Sequence, residues 1–194
     1  MKLSRAYYQQ QDVVAVARDL LGKKLITHLD GQTTSGIITE TEAYAGITDR
    51  GSHAYGGRRS TRTETMYYPG GIAYIYLCYG IHALFNVVTG PSGQPHAVLI
   101  RAIEPLEGKD IMQKRRNYVK KGLTDGPGKL TQALGIHTKM NALSLLKNTI
   151  WLEEAKHFHD HNIRQGPRIG IDYAGADAML PYRFWVDGLN PQGS

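Results

Sequence analysis

The chain is poor in the residues that staple, chelate or anchor. Its 194 residues include one cysteine, Cys78. A disulfide framework is therefore excluded, as is a multi-cysteine zinc site, including the paired cysteines of a zinc deaminase. A lone thiol fits the reducing cytosol. No run of about 18 apolar residues is present, and the start, MKLSRAYYQQQ, has no apolar core of a signal peptide. The expectation is a soluble cytoplasmic protein that does not engage membrane. Phenylalanine is scarce: three, against twelve tyrosines. Tyrosine suits positions where a ring must pack while its edge stays wet. Repeats, low-complexity tracts and linkers are lacking too, so residues 1–194 read as a single domain, large enough to bury roughly 70% of its unfolded surface.

Present instead is a moderate positive charge, +6 with pI ≈ 9.4, which suits a polyanionic partner without demanding one. Residues 12–21, DVVAVARDLL, have helical apolar spacing, with Asp12 as N-cap and Gly22 as stop. Lys23–His28 reads as a strand and Leu29-Asp30-Gly31 as a hairpin turn into the strand Ile37–Tyr44. Residues 45–72 are turn-rich. Residues 73–88 read as two strands meeting near Tyr79-Gly80, and 96–105 as another strand carrying Arg101. A basic helix is expected over 106–119, and a glycine-rich turn opening a short helix over 126–136. TIWLEE, RIGIDY and RFWV supply further short strands. Strands dominate without βαβ alternation, so a doubly wound parallel sheet is disfavoured.

Chemistry concentrates in the middle of the chain. On an extended strand Ile38, Glu40, Glu42 and Tyr44 share one face. Glu42 is a candidate base, with Arg101 holding its carboxylate ionised against burial; the residues alone favour the plainer reading, a structural ion pair. Tyr79 at the hairpin tip is either folded onto the sheet or a wedge for base steps. An enzyme that extrudes a base also needs rings to sandwich it and cations for phosphates. Tyr44 and Tyr76 offer rings. Arg58, Arg59, Arg62 and Lys129, with Lys114, Arg115, Arg116, Lys120 and Lys121, offer charge. Asn86 either satisfies backbone or discriminates among bases. Hydrolysis of an N-glycosidic bond passes through a cationic sugar, which one carboxylate can serve if the bonded base is already cationic through alkylation. His157, His159 and His161 alternate as metal ligands sometimes do, but in a polar stretch, and no metal is assigned to them. GPGKL lacks the Ser or Thr that a Walker loop places after Lys129. Two rival readings remain beside base excision: a non-catalytic binder of bent nucleic acid, and a nucleoside N-ribohydrolase.

Ordered blocks along nearly the whole chain carry a resemblance: LLGKKL, GIITETEAYAG followed by Asp49 and His53, GGRRSTRT with Met66, PGGIAYIYLCYGIHALFNVV, AVLIRAIEPLEG, GPGKLTQALGI, GPRIGI, YAG and PYRFW. The chain resembles the alkyladenine (3-methyladenine) DNA glycosylase family. The resemblance implies a compact mixed α/β (α+β) domain around a curved, mostly antiparallel sheet with a protruding β-hairpin. It implies a monofunctional glycosylase of base excision repair that works without cofactor or metal. Its partner would be double-stranded DNA containing a damaged purine, and it would act as a monomer. Glu42 resembles the base that activates water and Arg101 its companion. Tyr44 and Tyr76 resemble the stacking walls, with His53 on the third side. Asn86 resembles the discriminating amide and Tyr79 the intercalating wedge. The chain departs from the pattern at Ile81 after the wedge, at the bulky pocket neighbour Phe85, and in the tail NPQGS. The absence of a long N-terminal extension points to a bacterial-type, cytoplasmic enzyme.

Overall fold

A computed structural model describes residues 1–189; the divergent tail NPQGS lies outside them. Helix α1 (Arg5–Tyr8) leads into α2 (Val13–Asp19). Asp12 caps α2 as its spacing predicts, accepting from the Val14 and Ala15 amides at 3.0 Å each. Strands β1 (Lys24–Leu29) and β2 (Gln32–Tyr44) form the first hairpin. A turn-rich segment of short 3-10 helices follows. Next come β3 (Ala73–Cys78), β4 (His82–Thr89) and β5 (His96–Glu107). Then α3 (Lys109–Arg115), α4 (Pro127–Leu134), β6 (Ile150–Glu153), β7 (Ile163–Gly166) and β8 (Arg183–Val186) complete the described elements.

The eight strands form one curled antiparallel sheet; six run in the order β3-β4-β5-β2-β1-β6, and β8 joins it by pairing with β2 and carries β7 on its other side. Strand β2 is its spine. One flank pairs with β5; the other pairs with β1 over its first half and with β8 at Glu40–Glu42. The main core lies between this sheet and α2 and α4, and includes Leu20, Ile38, Phe85, Ile100, Leu130 and Leu134. A smaller cluster of Met66, Tyr67, Tyr74 and Val88 sits under the turn-rich segment.

Three expectations change. RIGIDY is not a strand: residues 168–171 form a loop, Gly170 takes φ +74°, and a 3-10 stretch begins at Asp172. Its polar groups are met by Asp49 and Glu42 rather than by a ladder. The strand in that region is β7, whose polar sequence IRQG hides its pairing with β8. The basic helix is only Lys109–Arg115, because β5 continues to Glu107 and Asn117 and Tyr118 both take left-handed φ.

Candidate active site

The register of the sheet assembles a row of side chains from four strands. Tyr74 pairs with Asn86, Asn86 with Leu99, and Leu99 with Glu42. Directly opposed residues share a face. Tyr74, Asn86 and Leu99 line a cavity of about 470 Å³, within the size range of small-molecule sites. Tyr44, His53, Tyr76, Arg101 and Tyr79 line it as well. The strand, hairpin and loop residues singled out in the sequence therefore converge, although they are spread over some sixty positions.

Glu42 stands behind the wall, fully buried. Its Oε1 accepts from the Ile169 amide at 2.8 Å and lies 3.3 Å from Arg101 Nη1; its Oε2 accepts from the Tyr44 hydroxyl at 2.8 Å. Burial pushes the Glu42 carboxyl above the usual carboxylate range, while Arg101, the Ile169 amide and Tyr44 pull it back. The sequence reading has Arg101 holding it down against desolvation, and Arg101 does act in that direction. Complete desolvation outweighs that attraction, so the net direction is up. Arg101 is also shared, because its Nε donates to Glu40 at 3.0 Å, and Glu40 in turn accepts from Arg183 at 2.6 Å. A β-bulge places Arg101 there: Ile38 opposes Ile103, Glu40 opposes Ala102, and Thr41 opposes Ile100. The bulge also breaks the expected alternation. Ile38 joins the main core with Ile37, while Glu40, Glu42 and Tyr44 meet around Arg101.

The ring-lined side is equally ordered. His53 contacts Tyr76 edge-on, with centroids 4.7 Å apart, and its Nδ1 lies 2.9 Å from the Tyr74 hydroxyl. Its Nε2 faces Arg62 Nη2 at 3.2 Å. A guanidinium only donates, so Nε2 is the acceptor and Nδ1–H donates to Tyr74. Burial, then Arg62 and Arg58, push His53 down to about 4, so the ring is neutral at physiological pH. Arg62 also covers the Tyr76 ring, its guanidinium carbon 4.9 Å from the centroid.

Asn86 lines the cavity, but its amide nitrogen donates to the Tyr74 carbonyl at 3.1 Å, the ordinary use of an amide in an apolar strand. Phe85, expected as a pocket neighbour, is buried in the main core instead. The hairpin tip is a tight turn closed by Ile81 N–H to the Cys78 carbonyl at 3.1 Å. Tyr79 and Gly80 both have positive φ, +50° and +71°, as a type I′ turn requires. Leu77, Tyr79 and Ile81 are all exposed there, Tyr79 by 89%.

The cationic candidates divide. Arg58 is exposed on the segment beside His53. Arg59 is engaged in a two-pronged pair with Glu64, at 2.7 and 2.8 Å, away from the cavity. Lys129 pairs with Asp125 at 2.8 Å near the start of α4, whose Pro127 reaches the cavity wall. Arg115 and Arg116 turn inward to Thr34, Gln132 and backbone carbonyls, whereas Lys114, Lys120 and Lys121 are exposed. Among the described residues, no group of three His, Cys, Asp or Glu side chains is arranged to hold a metal, and no helix is long and apolar enough to cross a membrane.

One participant escaped the sequence reading. Arg168 is buried, forms a fork with Asp49, and packs its guanidinium carbon 4.8 Å from the Tyr44 ring centroid. The available signal was its place in GPRIGI, beside the residue whose amide meets Glu42.

The chain is similar to known proteins over nearly its whole length. The family model described as Methylpurine-DNA glycosylase (MPG) matches residues 6–190. A relative from Chlamydia abortus is 52% identical over 185 residues, covering 94% of this chain and 96% of its own length. One from Clostridium acetobutylicum is 44% identical over 197 residues, covering 97% and 95%. One from Bacillus cereus is 45% identical over 192 residues, covering 93% and 94%. All three carry the name "Putative 3-methyladenine DNA glycosylase". The chain belongs to the methylpurine-DNA glycosylase family and is a DNA glycosylase, a hydrolase of N-glycosyl bonds.

Proposed function

We propose that this glycosylase draws an alkylated or deaminated purine out of duplex DNA into the cavity and hydrolyses its bond to deoxyribose with a water held by Glu42. The observation that carries the reading is the state of Glu42: a buried carboxylate tied to Arg101 and to the hydroxyl of a cavity-lining tyrosine. A carboxylate offers about four lone-pair directions, and Arg101, Ile169 and Tyr44 occupy three. The fourth is left for a water. Burial raises the basicity of Glu42 while Arg101 favours its ionised form, which suits a base working near neutral pH.

The other residues take roles that fit their surroundings. Tyr44 and Tyr76, with His53, offer flat faces to a purine. His53, neutral and with Nε2 engaged by Arg62, serves as a rigid wall rather than a charged group. Asn86 meets the base through whatever its backbone-bound amide leaves free. Leu77, Tyr79 and Ile81 form an apolar tip to fill the gap in the stack, which costs a few kcal/mol to open. Arg58 and Arg62 hold phosphates; Arg59 does so only by releasing Glu64, and Lys129 by sharing or releasing Asp125. The water oxygen bonds to C1′ and gives its proton to Glu42 as the C1′–N bond breaks; the bond's electron pair departs with the base, neutralising an alkylated purine, and an abasic site in an uncut strand remains. The bacterial relatives and the single cysteine support action in the cytoplasm.

The test is single-turnover excision, with enzyme in excess over duplexes carrying one ethenoadenine, hypoxanthine or methylated purine. Strand breaks that appear only after alkali, from wild type and not from Glu42→Gln, are expected. Removing a general base costs about 10²- to 10⁴-fold. Unchanged turnover by Glu42→Gln would take Glu42 out of the role. Salt-sensitive binding without excision of any of these lesions would favour a non-catalytic binder.

A further inference from the structure

We propose that Arg168 is a positioning residue for hydrolysis: it locks the loop at 168–171 so that the Ile169 amide points at Glu42, and it backs the Tyr44 ring that hydrogen-bonds the same carboxylate. The proposal rests on the reading of Glu42 as the base and adds how that base is aimed.

The geometry is specific. Arg168 Nη1 donates to the Ala43 carbonyl at 2.9 Å and to Asp49 Oδ2; Nη2 donates to Asp49 Oδ1 at 2.7 Å and to the Asp177 carbonyl at 3.3 Å. Four of its five donors are thus placed, and the fifth, Nε–H, is buried with no hydrogen-bond partner among the described residues. The guanidinium carbon lies over two rings, 4.8 Å from the Tyr44 centroid and 5.2 Å from that of Tyr182. Asp49 is itself held, accepting from the Ala45 amide at 2.9 Å and the Gly51 amide at 2.8 Å. Arg168 therefore ties together the end of β2, the segment that carries His53, and the loop that caps Glu42. The next residue in the chain, Ile169, delivers its N–H to Glu42 Oε1 at 2.8 Å.

This arrangement exceeds what holding the fold requires. A buried ion pair is a weak source of stability and can often be replaced by apolar packing. Here the same side chain also packs on the Tyr44 ring, whose hydroxyl meets Glu42, and precedes Ile169, whose amide meets the same carboxylate. Lysine cannot substitute: its single ammonium cannot span Asp49, Ala43 and Asp177, nor stack flat on Tyr44.

The test is the pH–rate profile of single-turnover excision for wild type, Arg168→Lys and Glu42→Gln, with DNA binding and melting measured on each. A base must be ionised, so its rate falls as pH drops through its pKa. Loss of the Ile169 amide removes a bond to the ionised form and moves that acid limb to higher pH. The groups around Glu42 that also set this limb are Arg101, Glu40, Tyr44, Tyr76, Tyr173 and Arg168 itself. We expect Arg168→Lys to bind lesion DNA within about twofold of wild type, to lose about tenfold or more in rate at neutral pH, and to show the shifted limb. A rate loss with an unshifted limb, or one matching the lost folded fraction, would overturn the proposal and leave Arg168 as structural only. If Arg168→Lys does not fold, Asp49→Asn carries the same test, since it keeps the shape of the partner and halves the fork. An active Glu42→Gln would instead overturn the base reading. An inactive Glu42→Gln beside an unshifted Arg168→Lys would overturn the positioning role alone.

Discussion

Replacing Arg101 by methionine isolates the electrostatics on which the site depends. Methionine fills a similar volume but brings no charge. Glu40 keeps Arg183 at 2.6 Å, so the carboxylate left without a cation is Glu42. At 3.3 Å and an effective dielectric of about 20, the lost attraction is about 5 kcal/mol. Protonation limits how much of that appears as lost stability, because Glu42 can take up a proton instead. From an unfolded value of about 4.3, that escape costs at most about 3.7 kcal/mol at pH 7. Part of this is already present in wild type, where burial raises the carboxyl. The net deficit therefore lies below about 3.7 kcal/mol at pH 7, each kcal/mol being worth about 2–4 °C in Tm for a chain of this size. The sign of its pH dependence follows from linkage. A carboxyl whose folded pKa lies above its unfolded value binds more protons in the native state, so stability rises as pH falls. The deficit should therefore shrink by up to about 1.4 kcal/mol per pH unit as pH falls, and vanish once Glu42 is protonated in wild type as well. Melting of both proteins by circular dichroism at pH 8, 7, 6 and 5 measures it. A deficit constant across that range would refute the reasoning, since it would mean that Arg101 does not offset the charge of Glu42.

Tyr79→Ala removes an 89% exposed ring and should change folding stability by no more than about 0.5 kcal/mol. If the ring fills the vacated stack, worth about 1–3 kcal/mol, extrusion should weaken about 5- to 150-fold while binding to undamaged DNA barely moves. A fluorescent base opposite thymine reports it, and an unchanged signal would remove Tyr79 from the wedge role. Asp12→Ala deletes the cap of α2, a helix packed on β2, and should cost about 1 kcal/mol, or 2–4 °C by thermal melt, at unchanged excision rate. No change in Tm would mean that solvent satisfies those two amides equally well.

Legibility varied along the chain for identifiable reasons. Asp12 and the hairpin at Tyr79-Gly80 were readable because capping and type I′ turns depend on residues a few positions apart. Strand β2 was readable as a strand, and Glu42 beside Tyr44 with it, but not the bulge that parts Ile38 from the face of Glu40, Glu42 and Tyr44. The loop at 168–171 was misread because R-I-G-I-D-Y alternates as a strand does, while its polar groups are met by Asp49 and Glu42, more than 115 positions earlier. Strand β7 was missed because IRQG has no apolar face to announce it.

By itself the sequence determined the kind of protein: an α+β chain with tyrosines clustered at a hairpin, a carboxylate two residues from a ring, and family blocks along its length. Local rules suffice for these, since each depends on neighbours in the chain. Only the tertiary structure decided how the groups work together. The register of four strands sets Tyr74, Asn86, Leu99 and Glu42 in one row, and a bulge lets Arg101 meet Glu40 and Glu42 together. Complete burial turned Glu42 upward in basicity against the pull of Arg101, and packing put Arg168 behind Tyr44. Desolvation and cross-strand register are properties of what surrounds a residue in space, and the order of residues along the chain specifies them only through the completed fold.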